Sequence, residues 1–338
     1  MRIWGRAATA AGLAAGYGLL HWLITRKAAR FDGAIVLITG GSRGLGFALA
    51  RAFGSRGAAI AICGRNEDSL LTARETLVAK GIPTIAVNCD VRDPSSVRHA
   101  VQEVLHAYGT IDVLVNNAGI ITVGPFETMT RSDYEDALNS HFWASYNTIE
   151  AVLPVFYEKN AGQIVNISSI GGQISVPHLL PYSVSKFALQ AYSEGLRSEL
   201  AQRNIAVTTV CPGLLRTGSP RNASFKGNHE AEYTWFMISA ALPGLSVAAS
   251  AAARQIVDAT ARRRPFVEIS VPAKLASFAH AVAPHITFGA LEIAARMLPQ
   301  AANENGEAAV KGRNSETRWT ASPLTILARK SELEYNQL

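Results

Sequence analysis

Tyr182 and Lys186 lie four residues apart, and Tyr182 follows Ser169 by thirteen. A phenol of ordinary pKa, near ~10, is a poor base at neutral pH. A neighbouring ammonium favours phenolate and lowers that pKa. Four-residue spacing on a helix puts both side chains on one face. Ser169 adds a hydroxyl able to hold a substrate oxygen. Far upstream, an apolar run enters the turn Thr39-Gly40-Gly41-Ser42-Arg43-Gly44-Leu45-Gly46. A strand, such a turn and a helix together aim backbone N–H groups and a helix dipole at a pyrophosphate. A bare glycine pattern is weak evidence, but this one has its strand before and its helix after. A phosphate cradle and a proton-passing phenol are the two halves of a redox enzyme.

These groups need a scaffold, and the apolar pattern supplies one. Strands are expected over 34–39, 58–63, 84–89, 111–115, 163–168, 206–210 and 265–270. Helices are expected over 46–55, 67–80, 94–108, 133–158 and 182–203. Strands that are apolar throughout and alternate with helices predict a parallel sheet covered on both faces. The expected architecture is α/β: a Rossmann-like doubly wound sheet in three α/β/α layers. It forms a single domain over residues 31–272, with extensions at both ends.

Residues 7–25 carry no Asp, Glu, Lys or Arg. At ~1.5 Å per residue that stretch nearly spans a ~30 Å hydrocarbon core. Segment 1–30 therefore reads as a membrane anchor, or as an amphipathic helix packed on the body or a partner. Residues 218–250 break the alternation, where a substrate loop belongs. There Tyr233, Trp235, Phe236 and Met237 either line an apolar pocket or close the core. The apolar segment 273–300, broken by Pro284 and Pro299, suits a monotopic element in the headgroup layer or a helix at a subunit interface. Within 301–338, residues 301–320 read as a polar linker, and 324–336 as a short docking helix.

The formal charge is +6. Without zinc spacing or RNA-reading aromatic motifs, the basic balance points to a membrane surface or a phosphorylated ligand rather than nucleic acid. Cys63, Cys89 and Cys211 show neither metal spacing nor an even-numbered framework, so reduced thiols in a reducing compartment are expected. Membrane association with the catalytic domain on that side, or a cytoplasmic location, follows.

Across residues 33–270 the chain resembles the short-chain dehydrogenase/reductase family, in the branch with a Thr-Gly-x-x-x-Gly-x-Gly turn. Asn116-Asn117-Ala118-Gly119 matches that family's motif after the fourth strand. Pro212-Gly213 with Thr217 matches the segment that receives the nicotinamide. Asp90, followed by Val91, matches the adenine contact. The resemblance implies that Tyr182 is the acid/base. Lys186 tunes it and grips the nicotinamide ribose, and Ser169 orients the substrate. It places Gly40, Ser42, Gly44, Leu45, Gly46, Asn117, Ala118 and Gly119 around the dinucleotide, and charge adds Arg43 and Arg65 to that set. It also implies equivalent subunits paired as a dimer or tetramer. One departure stands out: where the family usually has a relay Asn, this chain has His141, with Asn139 two residues earlier. Imidazole can serve in the relay, or be a tolerated structural change.

An NAD site usually ends its second strand in an acid, which would repel a 2′-phosphate. Here that position is Gly64, followed by Arg65, with Arg43 in the glycine turn. Two guanidinium groups suit a phosphate, so NADP(H) is the expected cofactor. Apolar residues around 170–180 and 233–245 suggest a hydrophobic alcohol or carbonyl, lipid-, steroid- or retinoid-like. The competing function is an NADP(H)-binding sensor or scaffold with little turnover, against which the intact Ser, Tyr and Lys set argues. A nucleotide-sugar epimerase normally spaces its first glycines differently.

Overall fold

The computed structural model describes residues 31–301, 308–320, 322 and 325–337. The expected anchor over 7–25 lies outside them. Seven parallel strands form the central sheet. They are β1 (Ile35–Thr39), β2 (Ala59–Gly64), β3 (Thr84–Asn88), β4 (Val113–Asn116), β6 (Gly162–Ile167), β7 (Ile205–Pro212) and β11 (Phe266–Ile269). Their spatial order is β3-β2-β1-β4-β6-β7-β11. The order reverses between β1 and β4, which opens a crevice beyond the carboxyl ends of the strands.

The residues of β1 show why the sheet is buried on both sides. Val36 and Ile38 join the core with α1 (Gly44–Gly54) and α8 (Ala249–Ala261), against Phe47, Phe53, Ile256 and Val257. Ile35 and Leu37 join the opposite core with α3 (Pro94–Tyr108) and α5 (Ala144–Lys159), against Val101, Val104, Val152 and Phe156. Each such side chain withdrawn from water contributes about 2 kcal/mol. The helix α2 (Glu67–Val78) follows β2, capped by the Asn66 side chain. Helix α6 (Leu180–Glu199) carries Tyr182 and Lys186.

The structure departs from the expected elements at four places. The helix expected over 133–158 is two helices, α4 (Arg131–Leu138) and α5, joined by a π-helical turn, Asn139–Trp143. A π turn accommodates an extra residue, and such insertions recur at functional sites. Within 218–250 lies a helix, α7 (His229–Ala241), whose apolar pattern is blurred because Glu232 is buried with Tyr233, Phe236 and Met237. The Ala-rich α8 carries too few large apolar residues to announce itself, yet it packs on α1. Finally, the expected linker is ordered over 308–320. There β12 (Val310–Lys311) pairs antiparallel with β9 (Ser224–Phe225), which pairs in turn with β5 (Thr122–Val123). A second small sheet joins β8 (Leu214–Arg216) to β10 (Ser246–Ala248).

The docking helix expected near the end is α11 (Ile326–Glu334). The helices α9 (Val271–Val282) and α10 (Pro284–Met297) bury only Ala273 and expose Phe278, Ile286 and Met297, among others. Among the described residues, no helix is long and apolar enough to cross a membrane. All three cysteines are buried free thiols.

Candidate active site

The glycine turn is held open by its neighbours. Thr39 Oγ1 accepts from the N–H groups of Asn117 and Ala118, both at 3.0 Å. Asn117 Nδ2 donates to the carbonyls of Thr39 and Gly40 at 3.0 and 3.2 Å. The ends of β1 and β4 are thereby tied together. Gly40 and Gly44 take left-handed φ values of 62° and 57°, where a side chain is strained. Gly46 lets α1 approach the turn: a Cβ there would sit 2.6 Å from Asn117 Nδ2. No side chain caps the N-terminus of α1; apart from the Gly44 N–H, which donates to the Tyr335 carbonyl, its first-turn amides keep capacity for an anionic group.

A single cavity of about 670 Å³ opens at the reversal point. Every candidate site residue expected from the sequence lines it except Gly46, which supports the turn from beneath. Arg43 and Arg65 stand at its rim, exposed. Although Arg43 is exposed to solvent overall, partial desolvation by the surrounding chain, and then the nearby charges of Arg65 and Arg313, lower its pKa. Asp90 is gripped by Arg92, with contacts of 2.6–3.1 Å, and its carboxyl is held below the usual range by that pairing. The glycines, the uncapped helix and the cations fit a phosphorylated dinucleotide.

At the other end of the cavity, Ser169 follows β6 and its Oγ accepts from Gly171 N–H at 3.0 Å. Lys186 is buried; its Nζ donates to the Ile167 carbonyl at 2.8 Å and sits 5.6 Å from the centre of the Tyr182 ring. The two side chains share one face of α6, as their spacing predicts. Their electrostatics correct the simple sequence argument. Burial pushes the Tyr182 hydroxyl up to about 12, against a lowering hydrogen bond from Ser169. Burial pushes Lys186 down to about 7. Desolvation dominates the phenol, Lys186 is not among the groups that shift it, and Tyr182 holds its proton at neutral pH.

His141, and not the exposed Asn139, faces this group. Its ring meets the Tyr182 ring edge-on at 5.4 Å. Its Nδ1 lies 2.7 Å from Ser185 Oγ, and that hydroxyl donates to the Tyr182 carbonyl at 2.7 Å. A hydroxyl has one proton to give, so Nδ1 is the donor to Ser185. Burial, and then the charge of Lys186, hold the His141 pKa well below 6.5. The neutral ring turns Nε2 towards Gly119, where a Cβ would collide with it, and the backbone of Ala137 and Ile120 is in hydrogen-bonding reach of the ring.

Parts of the site escaped the sequence reading. Beneath the site, Asn116, Asn166, Ser193, Thr148 and Thr209 form a buried, hydrogen-bonded network joining β4, β6, β7, α5 and α6. Only the Asn116 motif signalled it. On the apolar side, Trp235 and Phe236 line the cavity while Tyr233 and Met237 close the core, so the four aromatic and Met positions of α7 divide between both expected roles. The fully buried Glu232 positions Trp235, accepting from Trp235 Nε1 at 2.6 Å and bonding His178 Nδ1 at 2.7 Å. Lys311 and Gln337 also line the cavity; nothing in their local sequence marks them.

Comparison with known proteins agrees with this geometry. The sequence profile described as short chain dehydrogenase matches residues 34–226. Dehydrogenase/reductase SDR family member 7B of Bos taurus is 35% identical over 218 residues, covering 63% of this chain and 66% of that protein. The chain thus matches just under two thirds of that relative's length. A short chain dehydrogenase/reductase from Burkholderia phymatum, solved in complex with NAD, superimposes with a TM-score of 0.68 at 26% identity, covering 73% of this chain and 92% of that one. A variant of actinorhodin polyketide ketoreductase, solved with NADPH, gives a TM-score of 0.62 at 29% identity, covering 70% and 95%. The chain belongs to the short-chain dehydrogenase/reductase family, the NAD(P)-dependent oxidoreductases of alcohol and carbonyl groups.

Proposed function

We propose that this chain is an NADP(H)-dependent oxidoreductase that interconverts an apolar secondary alcohol and its carbonyl. The observation that carries the reading is the convergence of Ser169, Tyr182 and Lys186 in the cavity that also holds the glycine turn, Arg43 and Arg65. When bound, the nicotinamide supplies or accepts the hydride. The residues of the chain handle the oxygen and the proton. Ser169 donates a hydrogen bond to the carbonyl oxygen. Tyr182, kept protonated by burial, gives that oxygen its proton as negative charge develops there. Lys186, with a pKa near 7, can exchange a proton with water at neutral pH.

Arg43 and Arg65, and the absence of an acid at Gly64, favour the 2′-phosphorylated cofactor. The cavity wall of Val176, Leu179, Trp235 and Phe236 favours an apolar substrate. A complete Ser, Tyr and Lys set in one cavity weighs against a binding protein without turnover. The exposed apolar sides of α9 and α10 support association with a membrane surface or an equivalent subunit, and flotation with liposomes alongside light scattering separates the two. The experiment that tests the activity is NADPH consumption across ketones and aldehydes graded by size and apolarity. Oxidation with bulky apolar ketones present is the expected result. No turnover with any of them, despite NADPH binding, would sink the enzyme reading.

A further inference from the structure

After α10 the chain returns to the cofactor crevice, and its last described residues lie across the glycine turn. The Gly44 N–H donates to the Tyr335 carbonyl at 2.8 Å. Asn336 Nδ2 donates to the carbonyls of Ser42 and Ser69 at 2.9 and 3.2 Å. Asn336 itself has φ 55°, a left-handed value that Asn tolerates and that turns the chain after α11. Gln337 follows, buried, with its Nε2 against Gly44: a Cβ on that glycine would lie 2.6 Å away.

One residue joins this segment to the cations. Asn222 Oδ1 accepts from Arg43 Nη1 at 3.1 Å. Its Nδ2 donates to Gln337 Oε1 and to the Gln337 carbonyl at 2.6 and 3.1 Å. Its own carbonyl accepts from Lys311 Nζ at 3.4 Å, and Ser224 Oγ takes a second bond from that ammonium at 2.9 Å. Lys311 therefore lines the same cavity as Arg43 and Arg65, with Arg313 close behind. Among the described residues none of these four cations forms an ion pair. Asp90, the acid lining this end of the cavity, is taken by Arg92. Lys311 is exposed overall; partial desolvation, and then the charges of Arg43, Arg313 and Arg65, lower its pKa. Unpaired like charges repel one another, and a ligand phosphate would relieve that repulsion.

We propose that the C-terminal segment is a wall of the dinucleotide site, with Lys311 as a third cation for the 2′-phosphate beside Arg43 and Arg65, and the Gln337 carboxamide as a polar contact at the glycine turn. Asn222 keeps these three parts in register. The assignment of Lys311 rests on the NADP(H) reading; that of Gln337 concerns the part of the site common to both nicotinamide dinucleotides.

Calorimetric binding of NADPH and of NADH to the full chain, wild type and variants, tests both parts. Lys311→Gln keeps a hydrogen-bonding side chain and removes the charge. It should weaken NADPH about tenfold and leave NADH within about twofold. Gln337→Ala should weaken both cofactors by a similar factor, about threefold to tenfold. Hydrogen exchange adds a readout independent of turnover: amides 335–337 should gain protection when NADPH binds. Equal weakening of both cofactors by Lys311→Gln would mean that Lys311 only holds β12 in place, which overturns its role. A wild type that prefers NADPH, with neither variant affecting binding and no added protection, overturns the wall while leaving the NADP(H) reading intact. A wild type that prefers NADH overturns that reading and the Lys311 assignment together.

Discussion

The Lys186 ammonium lies 5.6 Å from the centre of the Tyr182 ring and is anchored to the Ile167 carbonyl rather than to the phenol. The lysine is thus held by the sheet at a fixed depth, and the phenol opens partly to the cavity above it. With its hydroxyl pushed up to about 12, Tyr182 is set as an acid. Replacing it by Phe removes the proton and little volume. Tyr182→Phe should lower kcat for ketone reduction by about 10²–10⁴, while calorimetry finds the affinity for NADPH unchanged.

Lys186 makes stability depend on pH, and the sign follows from its depressed pKa. Between about 7 and its ordinary 10.5, the folded chain holds this lysine neutral while the unfolded chain holds it charged. The unfolded state then binds more protons, so stability rises with pH across that window, by up to about 1.4 kcal/mol per unit. Below about 7 both states carry the proton, and the cost of burying the ammonium is present in full. Tyr182 opposes this trend only from its ordinary 10 up to about 12, where the folded state keeps a proton the unfolded state has lost. Urea unfolding from pH 7 to 9.5 should show a rise in the wild type that is lost in Lys186→Met. Parallel curves for the two would refute the assignment.

His141 is a positioning residue for α6 as much as a candidate in the relay. It donates to Ser185, which in turn donates to the Tyr182 carbonyl. His141→Ala breaks that chain and leaves a void beside the Tyr182 ring, so kcat should fall about tenfold. His141→Asn keeps a donor and the family's usual residue, and should recover most of the loss. A purely structural role predicts a different pattern: lower thermal stability in His141→Ala with kcat and its pH profile unmoved.

The parts of the site that could be read in the sequence are those fixed by local spacing. The continuous apolar run of β1 required burial on both faces, and the four-residue spacing of Tyr182 and Lys186 required a shared helix face. The turn at Gly40–Gly46 needed only its flanking strand and helix to be legible. What stayed hidden depends on distant partners. The π turn at His141 arises where α4 and the turn itself pack against α6, and no residue type within it dictates the insertion. Residues 308–320 have a linker's composition, yet backbone pairing with β9 orders them. Asn336 meets Ser42 across 294 residues of sequence; neither residue's neighbours announce the other. The apolar pattern of α9 and α10 was legible, and both helices leave it exposed.

The proposed preference for NADP(H) is tested by the charge at one position. Arg65 follows Gly64 at the end of β2 and faces the cavity without an ion pair among the described residues. Arg65→Asp exchanges an attraction for the 2′-phosphate for a repulsion, and offers the ribose hydroxyls an acceptor. The ratio of NADPH to NADH affinity should fall by a factor of about 100, equivalent to about 2.7 kcal/mol. An unchanged ratio from fluorescence titration would place Arg65 among ordinary solvated arginines.

Substrate size should be set by Trp235, whose orientation depends on Glu232. That carboxylate is fully buried and satisfies both Trp235 Nε1 and His178 Nδ1. Glu232→Ala leaves two half-buried donors without their acceptor and should cost about 1–2 kcal/mol of stability. Trp235→Ala acts on the cavity instead. It removes apolar wall next to the Leu179 cluster and enlarges the cavity that Ser169 and Tyr182 also line. Small ketones lose contact area there and should show a KM raised about tenfold, whereas bulkier ketones should be turned over as well as before or better. NADPH affinity should not move, because Trp235 lies at the substrate end. Equal losses for small and large ketones would mean that α7 only closes the core, and that selectivity is set elsewhere in the crevice.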